Sequence, residues 1–137
     1  AVQEAIQLLE AQHPVPPVLW SGQLSASARE LAEHEAGSGT VGHQDVGLDL
    51  SARLGRHGGL NAPCGESLAY GLFDGPGGPR EALLAMLVSD GARDRRTLRL
   101  LFDPGVRVAG AAWDSHPRFG TVVVLDVAGR LRAPSSR

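Results

Sequence analysis

Apolar residues at Val2, Ala5, Ile6 and Leu9 fall on one helical face and predict a helix over 2–12. His13-Pro14-Val15-Pro16-Pro17 ends it, because proline has no amide donor and pushes the preceding residue out of the helical region. Ser21 reads as the N-cap of a second helix reaching 36. Leu24, Ala28, Leu31 and Ala32 make its inward stripe, and Arg29, Glu30 and Glu33 face outward. The stretch 37–47 is loop-like and contains Gly42-His43. Asp49 then caps a short helix through Leu54, closed by Gly55 or by Gly58-Gly59.

The segment 65–70 reads either as a strand or as an irregular turn. Gly75 to Gly78 form a loop, and Pro79 suits the first turn of a helix over 80–88. Ala82, Leu83, Leu84, Met86 and Leu87 leave that helix apolar nearly all round, which predicts deep burial. Two strands follow, 107–113 and 120–127, joined by a hairpin loop over 114–118 with Pro117. The run Val122-Val123-Val124-Leu125 is apolar on both faces, the mark of a central strand covered on both sides. Helices before and between such strands predict an α/β fold, a three-layer α-β-α sandwich.

Composition narrows the function classes more than it extends the fold. The 137 residues suit a single domain, 1–137, with 129–137 read as a flexible polar tail. Aromatic residues make up only 4%, so Leu, Val and Ala must fill the interior. The net charge is −2, and the thirteen basic residues counted beside the histidines are all arginine. Arg95, Arg96 and Arg99 form a short run that reads as a solvated face, and without a basic stripe no nucleic-acid partner is expected. No run is apolar and long enough to span a bilayer, and nothing at the start reads as a signal peptide.

Local motifs for catalysis are weak. No phosphate loop, dinucleotide fingerprint, zinc-protease helix or nucleophile elbow occurs. The five histidines, His13, His34, His43, His57 and His116, show no diagnostic metal spacing. Cys64 is the single cysteine and, with no basic neighbour to activate it, reads as a buried inert thiol. Glu66 stands in an otherwise apolar segment, where a carboxylate is either exposed or buried against donors.

The order of these segments resembles the CAP superfamily of secretory, antigen and pathogenesis-related proteins, in its microbial-type branch. Pro16-Pro17-Val18-Leu19-Trp20 with Leu24 and Ala28 is similar to the family's opening helix motif. Gly42-His43 followed by Asp49 to Arg53 is similar to its loop histidine and short "D-R" helix. Gly65-Glu66-Ser67-Leu68-Ala69-Tyr70-Gly71 looks like its G-E-N-[IL]-A-Y-G segment. Val88 to Arg95, Asp103-Pro104, and His116 to Thr121 are similar to later stretches, so the likeness runs from about Leu8 to Ala128.

What the resemblance implies is a central cleft with a polar tetrad at His43, Glu66, Ser89 and Thr97. Family members carry two histidines and two acids there, and the histidines can hold a divalent metal. In this chain Thr97 falls on the second histidine and Ser89 on the second acid, a degenerate tetrad. A hydroxyl does not replace an imidazole as a metal ligand, so the expectation is no metal and no cofactor. His43 and Glu66 are expected to pair across the cleft floor, with the Thr97 and Ser89 hydroxyls completing a network. The resemblance implies an extracellular or cell-envelope domain that binds a small molecule, lipid or protein partner through the cleft. The alternatives are a hydrolase with His43 as base and Glu66 orienting it, or a structural module that has lost the ancestral site.

Overall fold

The computed structural model describes residues 2–43, 49–57, 60–88 and 96–131. Local chemistry accounts for most of the boundaries. Helix α1 spans Val2–Glu10 and stops before the proline-rich stretch. Helix α2 spans Gly22–Ser38. Ser21 is its N-cap, with extended backbone and an Oγ that accepts the Leu24 N–H. It ends at Gly39, whose φ of 72° is left-handed and whose N–H returns to Glu35 O at 2.8 Å. Helix α3, Leu50–His57, starts where Asp49 Oδ1 accepts the Ala52 N–H at 2.7 Å.

The ambiguous segment is a strand: β2 covers Leu60–Gly71. It pairs antiparallel with β4, Gly120–Leu131, which pairs antiparallel with β3, Val108–His116. A two-residue strand β1, Leu19–Trp20, joins the outer edge of β3 in parallel, and the sheet order is β1-β3-β4-β2. Helix α4 spans Gly78–Val88 and α5 spans Arg96–Leu101.

Strand β4 is interior, and its side chains alternate between two cores. Val122 and Val124 meet Ala28, Leu31 and Ala32 of α2. Val123 and Leu125 meet Ala82 and Met86 of α4, while Val127 joins Val106, Ala109 and Leu100 beneath α5. Helices therefore cover both faces of the sheet, the three-layer α/β arrangement. Gly110 permits the close seating of α2 on β3, because a Cβ there would lie 2.3 Å from Ser25 N.

The structure departs from the sequence reading in several places. Helix α4 is not deeply packed all round: Leu83 and Leu84 are 42% and 48% exposed. Strand β3 continues through His116, so the turn is confined to Pro117–Phe119, and β4 continues through Leu131 into the stretch read as tail. Residues 132–137 lie outside the described residues. Helix α5 and strand β1 were not foreseen. Within the arginine run, Leu98 is buried while Arg96 and Arg99 are exposed, so a solvated face and a packed face share one short helix.

Candidate functional site

His43 stands on the loop that leaves α2, and the sheet holds that loop at several points. The Gly42 N–H donates to Tyr70 Oη at 2.8 Å, and the Tyr70 hydroxyl donates to the Glu35 carboxylate at 3.0–3.1 Å. His116, buried on β3, donates from Nε2 to Thr40 O at 3.0 Å and accepts the Arg118 N–H on Nδ1 at 3.2 Å. Its ring meets Tyr70 edge-on, with centroids 5.5 Å apart. Burial raises the pKa of Glu35, and burial first, then the Glu35 carboxylate, pushes Tyr70 up to about 12.

Fixed in this way, His43 places Nδ1 3.1 Å from Glu66 Oε1. The Glu66 side chain is buried, and its other oxygen, Oε2, accepts from Arg53 Nη2 of α3. Arg53 is fully buried; its Nε donates to Ser27 O and Oγ, and its Nη2 lies 3.7 Å from Asp126 Oδ2. Three elements thus converge on one guanidinium: α2 through Ser27, β2 through Glu66 and β4 through Asp126. Burial outweighs the attraction of Arg53 and raises Asp126 to about 7. Burial, then the charge of Arg96, lowers the pKa of His43, so the imidazole is neutral at pH 7. Because the Glu66 carboxylate accepts, His43 donates from Nδ1, and Nε2 is left as the acceptor nitrogen of a half-exposed ring.

A cavity of about 580 Å³ opens beside this dyad, lined by His43, Glu66, Cys64, Asp49, Ser51 and Arg96 among others. Cys64 is half-buried rather than lost in the core, and burial raises its thiol pKa, so it is not an activated nucleophile. The cavity therefore offers a hydrogen-bond acceptor backed by a buried carboxylate, with charges of both signs around it.

Of the four residues implied by the resemblance, His43 and Glu66 are brought together. Thr97 is bonded elsewhere: its Oγ1 lies 3.0 Å from Ser67 Oγ. Ser89 lies outside the described residues. Both Glu66 oxygens are engaged, Thr97 supplies a hydroxyl tied to Ser67, and no group of three His, Cys, Asp or Glu among the described residues is placed to hold a metal.

Of the buried charged residues, Arg53 was named from the sequence only within the short "D-R" helix, and Asp126 and Glu35 were not singled out. Those two carried a signal. Asp126 interrupts the apolar run of β4 just as Glu66 interrupts β2, and Glu35 continues the α2 stripe at the helical spacing after Leu31 and Ala32.

No protein-family model matches the sequence, and no curated protein matches it. Solved structures do. An extracellular protein of Bacillus anthracis containing an SCP domain superposes with a TM-score of 0.66 at 17% identity, over 93% of this chain. An outer surface protein of Borrelia burgdorferi superposes with a TM-score of 0.66 at 17% identity over 94% of this chain. The chain spans 40% of the length of the Bacillus protein and 89% of the Borrelia protein. The fold is therefore SCP-like, the CAP type. Among the described residues, no helix is long and apolar enough to cross a membrane.

Proposed function

We propose that this chain is a secreted or cell-envelope CAP-like domain that binds a small molecule, lipid or protein segment through the cavity beside His43, without metal chemistry. The observation that carries this reading is the chain His43–Glu66–Arg53. It presents a neutral imidazole, oriented by a buried carboxylate, at the wall of a cavity of about 580 Å³. That volume lies within the ~300–1,000 Å³ range usual for small-ligand sites. The extracellular and outer-surface descriptions of the structural neighbours support the location.

Native mass spectrometry against fatty acids, sterols and short peptides tests the binding. A bound species is expected with the wild-type chain and not with Ser51→Trp, which fills the cavity mouth while keeping the fold by circular dichroism. Equal retention by both chains would overturn the reading. Titration with zinc tests the second half: no stoichiometric micromolar site is expected, and one abolished by His43→Ala would refute it.

The His43–Glu66 pair also supports a hydrolase as second reading, since a carboxylate-oriented imidazole is the form a general base takes. Turnover on ester or peptide panels, lost in His43→Ala, would put that reading first.

A further inference from the structure

Strand β3 is paired along its whole length on one side only. On its outer side, Arg107 O and Ala109 O accept from Leu19 and Ser21 N–H, each at 2.8 Å. By the two-residue period of a strand, Ala111, Trp113 and Ser115 turn their backbone groups to the same edge. Strand β1 ends at Trp20, so among the described residues no strand lies alongside them. The Ser115 N–H is taken by Asp114 Oδ1 at 2.7 Å, which closes the far end of the edge and leaves Ala111 and Trp113 open.

Next to that edge lies a second cavity, of about 390 Å³, walled by Phe73, Pro76, Pro79, Trp113 and Val123. Val123 belongs to the α4 side of the sheet, whereas Glu66 meets Arg53 of α3, so this cavity is on the opposite face from His43. Trp113 is 60% exposed, although it stands mid-strand. The charged side chain in the cavity wall is acidic, Asp74, whereas Asp114, in register with Val122, faces the α2 side of the sheet. Arg118, on the turn beyond the strand, instead lies over the Phe119 ring at 5.2 Å.

We propose that the open edge of β3 and the Phe73–Trp113 cavity together form a docking groove for an extended basic peptide segment of another protein. The segment pairs its backbone with Ala111 and Trp113 as an added strand. One apolar side chain enters the cavity, and a flanking arginine or lysine meets Asp74. Free backbone donors and acceptors call for a peptide rather than a purely apolar molecule, and the Asp74 carboxylate in the cavity wall selects a cationic one. A second copy of this chain fits less well, because edge-to-edge pairing of two β3 strands sets Asp114 of each copy against an equally acidic edge.

The test is fluorescence polarisation with a panel of labelled ten-residue peptides, each with arginine flanks and a central Leu, Val, Phe or Trp. At least one member is expected to bind in the micromolar range. Trp113→Ala, at an exposed position, should weaken it by at least about tenfold, and Asp74→Asn or raised salt should weaken it further. N-methylation of alternate peptide amides should abolish binding, and glutamate-flanked versions should not bind. His43→Ala should leave it unchanged, which separates this groove from the first cavity. The proposal fails if no panel member binds at millimolar concentration, or if binding survives N-methylation or Trp113→Ala. It fails equally if sedimentation shows a dimer that Trp113→Ala dissolves, since the occupant is then a second copy.

Discussion

Glu66 on β2 and Asp126 on β4 are direct cross-strand partners, two acids facing each other inside the protein. Like charges so placed destabilise a sheet unless a cation joins them, and Arg53 is that cation. The pairing explains why a short helix following a loop is anchored to the middle of the sheet, and why Glu66 faces His43 in a fixed orientation.

Removing Arg53 should leave Asp126 and Glu66 buried without their shared cation, Glu66 keeping only its bond to His43. Arg53→Met is expected to destabilise the fold by roughly 3–5 kcal/mol, the usual result of breaking a buried ion pair from one side. Urea denaturation followed by circular dichroism measures it. Adding Glu66→Gln and Asp126→Asn to Arg53→Met should recover most of the loss, because no buried charge then remains.

Asp126 should make stability depend on pH between about 4 and 7. Its folded pKa, raised from the ordinary 3.8 to about 7, means the folded state holds a proton that the unfolded state has released. Its contribution is therefore complete below pH 4 and is lost as pH rises through 7. The shift sets a ceiling of roughly 4 kcal/mol on that loss. Asp126→Asn should flatten this part of the stability–pH curve and be at least as stable as wild type at pH 8. A mutant curve parallel to wild type would contradict the assignment.

Tyr70→Phe removes one hydroxyl with two duties: it accepts the Gly42 N–H and donates to Glu35. A loss of about 1–3 kcal/mol is expected, since buried partners are left unsatisfied. The Tyr70→Phe loop should also hold His43 less tightly. The imidazole pKa, followed by NMR titration, should then rise from its lowered value towards the ordinary 6.5.

Gly110→Ala tests the contact between α2 and the sheet. The added methyl would lie 2.3 Å from Ser25 N and 2.6 Å from Leu24 backbone carbon, neither of which can move without shifting α2. A destabilisation of about 1–3 kcal/mol or more is expected. Thermal melting compares it with Gly37→Ala, where an added Cβ meets nothing within 4 Å.

The sequence by itself determined the elements whose causes are local. The Ser21 cap, the α2 stripe from Leu24 to Ala32, the Asp49 cap and the two-faced run of β4 follow from spacing and capping chemistry, and all are present. The ordered motifs from Leu8 to Ala128 also carried the SCP-like fold, which two solved structures share. Only the tertiary structure decided what the charged residues do. Glu66 was legible as a carboxylate that needs donors, yet its partner Arg53 lies in a different element, and Asp126 meets that partner only because β4 lies beside β2. Thr97 could be aligned with an absent histidine, but its bond to Ser67 was not written in any spacing. Burial of charge depends on which strands become neighbours, and long-range pairing leaves no period along the chain from which to read it.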